Sequence, residues 1–391
     1  MKIGAVICEF NPFHLGHAYL ISEMKKRGAV IAVMSGSFTQ RGEPAVVSKY
    51  VRARAAVMNG ADLVLEIPFP YSTACAQHFA SAGVEMICSL GCVQELCFGS
   101  ETGEMEMLSA AAERVVSPAF LSALNKQLSG GHHISYRHAF SEVYSRLFGC
   151  NIFHGSNDIL AVLYLSELKK RGSLIEPVAV RRSGEAYDGS GEGYPSASSV
   201  RKMLEKGDFS SLSRAVPVGM EKLLKEAAAA GQIADGRALF PLFAALVRSG
   251  RKENFQKGPD ISEELAARLF RAARQARNME DFLSLVQTKR YSRSRIRRAF
   301  LYMLFGIEYA DFSGVPYTTV LAANGTGREI LAGIRHKAEI DLITKPADYI
   351  QFGENTRRAF ELAARADSIW ELLCTVPREG TAMLKEHPVM I

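Results

Sequence analysis

Two histidines, His14 and His17, lie three positions apart just after the first apolar run of the chain, with Gly16 between them. Imidazole N–H groups and the amides of a helix N-terminus both bind phosphate, and glycine allows close backbone approach. The pair could instead pack and cap a helix, and a metal site would need a third ligand such as Glu9 or His78. Its position after a strand favours phosphate binding, because parallel sheets bind ligands at the carboxyl ends of their strands.

A second candidate anion site lies at residues 196–201, Ser-Ala-Ser-Ser-Val-Arg. This segment follows a loop rich in glycine and serine and opens a predicted helix, so it offers hydroxyls, helix-end amides and Arg201 to an anion. Alone, such a segment is usually an N-cap followed by a solvated arginine. Together with the histidine pair, it indicates a site that holds a polyphosphate from two sides.

The elements that would position these residues alternate along the first half of the chain. Apolar runs predict strands at 3–8, 30–34, 62–67, 95–98 and 174–180, and helices are predicted at 47–58, 81–90, 104–148, 157–171 and 198–205. Strands that are apolar on both faces are typical of a parallel sheet covered on both sides. We therefore predict an α/β fold with a Rossmann-like, doubly wound parallel sheet. No Walker A or G-x-G-x-x-G pattern follows the first strand, which argues against a P-loop NTPase or an ordinary dinucleotide dehydrogenase.

The pattern changes after residue 206. Helices are predicted at about 219–229, 238–248, 261–277 and 292–305. Beyond residue 313 the signal weakens to a β-like stretch at 318–322 and a turn at 324–327, Asn-Gly-Thr-Gly. We therefore predict a catalytic domain at residues 1–206 and a mainly α-helical domain at residues 207–391.

Composition and charge indicate which kinds of partner the protein can bind. The 391 residues include 47 Lys and Arg against 41 Asp and Glu, and the excess is concentrated between residues 289 and 298. That segment has six cations and no acid: Lys289, Arg290, Arg293, Arg295, Arg297 and Arg298. An unbalanced basic stretch is the electrostatic footprint of a polyanion, so we predict that these residues bind RNA. The absence of a signal peptide or a membrane-length apolar run and an odd count of seven cysteines predict a cytoplasmic protein with reduced thiols and no membrane partner.

These motifs resemble those of the HIGH-type nucleotidylyltransferase superfamily, whose two signatures hold the triphosphate of ATP from opposite sides. The similarity narrows to the tRNA(Met) cytidine acetate ligase family. It rests on residues 9–17, 33–45, 98–101, 156–160 and 288–296.

The resemblance implies a two-step reaction. Acetate and ATP give acetyl adenylate and pyrophosphate, and the acetyl group passes to N4 of the wobble cytidine of elongator tRNA(Met). It also implies ATP contacts at Ile7, Cys8, Glu9, Phe10, Asn11, Pro12, Phe13, His14, Leu15, Gly16, His17, Ala18, Tyr19, Leu20, Gly99, Asn157 and Arg181. The expected partners are therefore ATP, acetate and elongator tRNA(Met).

The catalytic residues follow from the charge that the first step develops. When a carboxylate attacks the α-phosphorus, negative charge moves toward the leaving pyrophosphate, and preorganised positive donors stabilise it. We expect His14 and His17 at the α- and β-phosphates and Arg201 at the far end, with Mg²⁺ bridging phosphate oxygens and no metal ligand assigned to the protein. Residue 181 should face the ligand crevice, and Arg182 should point away from it.

Three further expectations concern single residues. Lys49 and Arg52 begin a helix at positions that are by default solvated, although the preceding block of Arg41, Gly42, Pro44 and Ser48 could close a pocket for acetate. Asn157 could read the nucleotide or merely cap its helix.

Two other functions compete with the ligase. An adenylyltransferase for a small phosphorylated metabolite would need only the first domain, so the basic helical half argues against it. A tRNA-binding module with a relic nucleotide site would not need His14, Gly16, His17 and Arg201 intact.

Overall fold

One mixed sheet of eight strands forms the centre of the computed structural model, which describes residues 1–129, 136–150, 153, 155–182, 194–250 and 258–391. The strands are Ile3–Cys8 (β1), Ala29–Ser35 (β2), Leu63–Ile67 (β3), Glu95–Ser100 (β4), Glu176–Arg181 (β5), Tyr317–Ala323 (β6), Asp341–Ile343 (β7) and Val389–Met390 (β8). Their order is β5-β4-β1-β2-β3-β6-β7, and β8 pairs with β6. The first five strands pair in parallel, which confirms the predicted Rossmann-like sheet.

Helices cover the sheet and form most of the second half. The helices of the first half are Leu15–Lys25 (α1), Lys49–Met58 (α2), Ala76–Ser89 (α3), Met105–Val115 (α4), Pro118–Ser129 (α5), Tyr136–Phe148 (α6), Ser156–Lys170 (α7) and Ala197–Glu205 (α8). Those of the second half are Phe209–Leu212 (α9), Val218–Ala229 (α10), Leu239–Arg248 (α11), Glu263–Gln275 (α12), Met279–Val286 (α13), Arg293–Phe305 (α14), Gly325–Ile334 (α15), Glu354–Leu372 (α16) and Ala382–Lys385 (α17). The second half is mainly helical, as predicted. No helix in the described ranges is long and apolar enough to cross a bilayer.

Each central strand is apolar on both faces because both faces are covered. Val30, Ala32 and Met34 of β2 pack in one apolar layer with α1, α2 and helices of the second half. Ile31 and Val33, which alternate with them, pack in the other layer with α3, α4 and α7. The double covering explains why β2 reads as a continuous apolar run.

The second half also contributes to the sheet. Strand β6 pairs antiparallel with β3, so that Leu63 lies opposite Ala323. The β-like stretch predicted at 318–322 is therefore a buried strand. The turn predicted at 324–327 is wrong, because the side chain of Asn324 accepts the N–H of Gly327 at 2.9 Å and caps α15. The two predicted domains share one sheet, and the boundary at residue 206 stays a prediction about folding units.

The strand order places a crevice beside β1. The chain runs from β1 to β2 and β3 on one side and then returns to β4 on the other side of β1. Such a change of direction opens a ligand crevice at the carboxyl ends of the two strands where it occurs. The histidine loop follows β1 directly and therefore lies at this crevice.

Candidate active site

A cleft of about 300 Å³ opens at the carboxyl ends of β1 and β4. This volume is within the range of small-molecule sites. Of the residues predicted to bind ATP, those that line the cleft are Ile7, Cys8, Glu9, Phe10, Gly16, His17, Tyr19, Leu20, Gly99, Asn157 and Arg181. These predicted residues come from five separate elements, β1, α1, β4, α7 and β5, and line one cavity.

Six of the predicted residues are not among those that line the cleft: Asn11, Pro12, Phe13, His14, Leu15 and Ala18. Asn11 is buried, and its Oδ1 accepts the N–H of Val46 at 2.8 Å. Phe13 is fully buried in the apolar core. These two side chains hold the histidine loop against the rest of the fold and set its shape.

The two histidines stack on each other at the start of α1, with ring centroids 3.7 Å apart. Nδ1 of His14 accepts the N–H of Gly16 at 3.1 Å, and Nδ1 of His17 accepts the N–H of His14 at 3.3 Å. A Cβ at Gly16 would lie 3.0 Å from the His14 ring, so glycine fits this stacked geometry. Each ring therefore caps the helix through Nδ1.

The amides in the first turn of α1 already have acceptors. Besides the bond from Gly16, the N–H of Leu15 donates to the carbonyl of Ala215 at 3.1 Å, and that of His17 donates to the carbonyl of His14 at 2.9 Å. The sequence suggested that helix-end amides would bind phosphate. These amides are therefore not free to bind a phosphate.

Both imidazoles are neutral near pH 7. Burial, together with the charges of Arg182 and Arg201, lowers the pKa of His14 to about 3. Burial, His14 and Arg182 hold the pKa of His17 well below its usual range. Since Nδ1 of each ring accepts a backbone N–H, the ring proton lies on Nε2. The expected cationic donors are thus neutral donors, because buried imidazoles beside arginines are costly to charge.

Arg201 reaches the histidine loop from α8. Its Nη1 donates to the carbonyl of Asn11 at 2.8 Å, and its Nη2 lies 3.2 Å from Oε2 of Glu43. The hydroxyl of Ser196 accepts the N–H of Ser199 at 3.2 Å and so caps α8. The fold brings the two predicted motifs together, with Arg201 as their point of contact.

Two consecutive arginines at the end of β5 line the cleft. Cγ of Arg182 lies 3.4 Å from the Cβ position of Gly99, and the charge of Arg182 acts on both histidines. Arg181 is exposed and packs beside Gly103. The expectation that Arg182 points away is wrong, because β5 ends at Arg181 and strand alternation does not extend beyond it.

Asn157 is fixed by a carboxylate from β4's end. Its Nδ2 donates to Oε1 of Glu101 at 2.7 Å, and Oε2 of Glu101 accepts the N–H of Asp158 at 2.9 Å. The hydroxyl of Ser100 donates to the buried Asp158 at 2.6 Å. The interpretation that Asn157 merely caps its helix is wrong, because Gly155 occupies the N-cap of α7.

Lys49 is buried in an ion network. Its Nζ lies 2.8 Å from Oε1 of Glu66 and 2.7 Å from Oδ2 of Asp367. Oδ1 of Asp367 also accepts the hydroxyl of Ser37 at 2.6 Å. The expectation of a solvated Lys49 is wrong, because these carboxylates come from β3 and α16 and compensate its charge.

The expectation of a solvated Arg52 is also wrong, because backbone carbonyls bind its guanidinium. Arg52 is fully buried and donates to the carbonyls of Glu9 at 2.6 Å, Ser35 at 3.0 Å and Gly36. It thereby joins the ends of β1 and β2 below the cleft. The signal in the sequence was the set of small apolar residues that follows it in α2, Ala53, Ala55, Ala56 and Val57, all of them buried.

A hairpin at residues 37–45, here called the cleft hairpin, follows β2. Phe38 and Pro44 pair across it, and the N–H of Thr39 donates to the carbonyl of Glu43 at 2.9 Å. Gln40 and Arg41 at its tip line the cleft. The N–H of Gln40 donates to Oε1 of Glu9 at 2.8 Å, so the hairpin is tied to the end of β1.

Five of the six cations of the basic segment contact carboxylates or backbone carbonyls. The ion pairs are Arg290–Glu264 at 2.9 Å, Arg293–Glu280 at 2.8 Å, Arg297–Glu43 at 2.7 Å and Arg298–Asp260 at 4.0 Å. Arg295 donates to the carbonyl of Asp260 at 3.0 Å, Arg298 is buried, and Lys289 is exposed. The expectation of a charge without balancing carboxylates is wrong, because carboxylates distant in sequence fold against it.

Relatives of the chain cover almost its whole length. A family model described as HIGH Nucleotidyl Transferase matches residues 1–383. The tRNA(Met) cytidine acetate ligase of Caldanaerobacter subterraneus subsp. tengcongensis is 35% identical over 389 residues, which cover 95% of each chain. That of Acetivibrio thermocellus is 32% identical and covers 95% of this chain and 94% of its own. The chain belongs to the tRNA(Met) cytidine acetate ligase family.

A solved structure supports the same family at the level of the fold. The crystal structure of Thermotoga maritima TmcAL bound with alpha-thio ATP has a TM-score of 0.90 and 28% sequence identity. The match covers 100% of this chain and 99% of that chain. That structure therefore shares both the parallel sheet and the helical half, and the family resemblance predicted from the motifs is confirmed.

Proposed function

We propose that the protein is an ATP-dependent ligase that acetylates N4 of the wobble cytidine of elongator tRNA(Met) in the cytoplasm. Acetate attacks the α-phosphorus of ATP and releases pyrophosphate, and the cytidine amine then attacks the acetyl carbonyl of acetyl adenylate and releases AMP. The observation that carries this proposal is the neutral pair of stacked histidines in a chain from this ligase family, with His17 on the cleft wall and His14 stacked against it.

The histidine pair supplies hydrogen-bond donors to the triphosphate. His14 and His17 donate through Nε2 to the α- and β-phosphates, while Arg201 approaches from α8. Because Nδ1 of each ring is held by a backbone N–H, the donors are oriented before the nucleotide arrives. Donors fixed in this way stabilise the charge that develops on the leaving pyrophosphate, at about 10²-fold in rate for a single donor.

The other cleft residues divide between the two ends of the nucleotide. Apolar side chains such as Phe98 and Leu160 line the wall where a base can stack, and Gly99 and Asn157 lie at the same wall. We assign Arg182 to the phosphates, because its guanidinium is close enough to lower the pKa of both His14 and His17. Arg181 lies at the exposed rim and makes a weaker contact.

Mg²⁺ enters with the nucleotide in this proposal. Within the described ranges, no group of three His, Cys, Asp or Glu side chains is arranged to hold a metal ion. Magnesium in phosphoryl-transfer sites is bound mainly by phosphate oxygens, water and one or two carboxylates. Glu9 is the carboxylate among the residues that line the cleft, and the ion would supply neutralisation of phosphate charge.

Acetate binds beside Arg41 in this proposal. Arg41 lies at the tip of the cleft hairpin, lines the cleft and is exposed, and its charge acts on the Glu9 carboxylate. Ser48 is excluded from this role because its hydroxyl caps α2 through the N–H of Val51 at 3.2 Å.

The RNA contacts that we propose are the outward members of the basic segment: Lys289, Arg290 and Arg293. Lys289 is exposed, and the glutamates that pair with Arg290 and Arg293 are 54% and 67% exposed. Exposed ion pairs contribute roughly 0–1 kcal/mol, so a phosphate can replace those glutamates. Positioning the wobble amine against the mixed anhydride then provides most of the second step.

The test is acetyl transfer to defined RNA. The protein is incubated with ATP, labelled acetate and either elongator tRNA(Met) or the same tRNA with uridine at the wobble position, and the nucleosides are separated by mass spectrometry. We expect labelled N4-acetylcytidine from the first tRNA and no label in the second. Acetyl adenylate without labelled RNA would contradict the proposed acceptor while leaving the first step intact.

A further inference from the structure

Glu43 lies between two arginines from different parts of the chain. Its Oε2 is 3.2 Å from Nη2 of Arg201 on α8, and its Oε1 is 2.7 Å from Nη1 of Arg297 on α14. The three side chains are similarly half-buried, at 26%, 24% and 25% exposure. One carboxylate thus shares its charge between the arginine of the ATP motif and an arginine of the basic segment.

The cleft hairpin is packed closely onto α14. Gly42 has φ +74°, and a Cβ at this position would lie 2.8 Å from Cβ of Arg297 and 2.8 Å from the backbone nitrogen of Arg298. The Phe38 ring also lies 6.1 Å from the ring of Phe305, near the end of α14. Glycine is needed for this approach, and the hairpin tip is held against the first turns of the helix.

The opposite side of the same hairpin forms part of the cleft. Gln40 and Arg41 line it, and Gln40 is tied through its N–H to Glu9. Arg201, besides contacting Glu43, holds the carbonyl of Asn11 in the histidine loop. Glu43 therefore links Arg297 directly to Arg201 of the ATP motif.

We propose that Arg297 is a positioning residue for the ATP site and acts on Arg201 through Glu43. It was predicted to bind RNA, whereas this inference assigns it to the step that needs no RNA; the inference rests on the proposed function. Arg297 draws part of the Glu43 charge away from Arg201 and keeps the hairpin tip in place. Without it, the full carboxylate charge competes with phosphate for the Arg201 guanidinium.

The experiment compares acetate-dependent ATP–pyrophosphate exchange, without RNA, in four variants: Arg297→Ala, Arg297→Lys, Glu43→Gln and the double variant Glu43→Gln/Arg297→Ala. Arg297→Ala should raise KM for ATP about tenfold, the scale of weakening one charge-assisted hydrogen bond. Arg297→Lys, which keeps the charge, should stay within about threefold of the wild type. The double variant should match Glu43→Gln alone, because an amide no longer competes for Arg201.

The control is Arg358→Ala, which removes another arginine–carboxylate pair, to Asp311 at 3.0 Å, away from the cleft. Its KM for ATP should equal that of the wild type. Thermal unfolding of every variant should stay within a few degrees of the wild type, because each pair keeps a solvent-accessible side chain and such ion pairs contribute roughly 0–1 kcal/mol.

Two results would overturn the inference. One is an active wild type with an Arg297→Ala variant whose KM for ATP is unchanged. The other is a double variant whose KM for ATP exceeds that of Glu43→Gln by the same factor that Arg297→Ala shows alone, as expected if Arg297 does not act through Glu43. Failure of the proposed function is a different outcome, because the wild type itself would then show no exchange with acetate.

Discussion

The histidine loop and the basic segment were both predicted from residue type and spacing, and they differ in where their partners lie. His14 and His17 accept hydrogen bonds from backbone groups within three residues, so their spacing in the sequence is enough to predict the geometry of the loop. The basic segment pairs with Glu264, Glu280 and Glu43, the last about 250 residues away. Local contacts can therefore be predicted from a motif, whereas the charge balance of a surface depends on the whole fold.

The largest expected effect tests the histidine loop, whose hydrogen-bond partners are local in sequence. His14→Asn keeps an acceptor at the N-cap of α1 but removes the distal N–H, so the helix should remain capped while phosphate binding is lost. We expect adenylate formation to fall by about 10², the scale for one preorganised donor. Pyrophosphate exchange and thermal unfolding of the same sample measure both quantities.

His17→Asn is the matched variant, and it should behave in the same way. A folded double variant with exchange near the wild-type rate would contradict the phosphate role. It would leave the stacked pair as a helix cap only.

The second-largest expected effect tests the basic segment, whose partners are distant in sequence. Changing Lys289, Arg290 and Arg293 to Ala should weaken tRNA binding by roughly tenfold or more and flatten the slope of log K against log salt by as much as about 0.7 per lost contact. Titrations of tRNA at several salt concentrations give both values. Arg277→Ala, which removes an exposed pair with Asp281 at 3.2 Å, is the control. An unchanged salt slope in the triple variant would place the RNA elsewhere.

The third effect separates two neighbours at the end of β5. Arg182→Ala should raise KM for ATP about fivefold, and Arg181→Ala less than twofold, because the charge of Arg182 is the one that acts on the histidines. The steady-state exchange rate measured against ATP concentration gives both constants. A larger effect at Arg181 would support the original strand alternation and contradict the placement of Arg182.

The smallest effect is on stability at mildly acid pH. The pKa of His14 is about 3 in the folded protein and about 6.5 in an unfolded chain, so below pH 6.5 the unfolded state binds a proton that the folded state does not. Stability contributed by the neutral ring is thus present above pH 6.5 and falls on acidification. Between pH 7.5 and 6 the loss should be about 0.8 kcal/mol for this group. The free energy of unfolding, measured with urea at both pH values, should not show this loss in His14→Asn. An equal loss in both proteins would contradict the assignment of His14 as neutral.

Much of the fold could be predicted because its signals are local. The five parallel strands are short apolar runs, and β2 is apolar on both faces since both faces are covered. Helix α16 was not predicted, although Phe360, Ala363 and Trp370 follow helical spacing, because alanine and polar residues dilute its apolar face. Strand β6 was recognised only as β-like, since its pairing with β3 joins residues more than 250 positions apart.

The candidate site shows the same division. The loop from Ile7 to Leu20 and the position of Gly99 followed from motifs that are contiguous in sequence. The buried roles of Lys49 and Arg52 could not be predicted, because their partners come from β1, β2, β3 and α16. Sequence spacing does not show which carboxylate or carbonyl will pair with a charged residue. A lysine or arginine that the fold buries is therefore predicted to be solvated.

The most direct test of the account is ATP–pyrophosphate exchange by the wild-type protein with a panel of small carboxylates and no RNA. We predict exchange that depends on acetate, proceeds without tRNA and falls about 10²-fold in His14→Asn. Exchange that is absent with every carboxylate, or that appears only when tRNA is added, would contradict the claim that the cleft alone activates acetate.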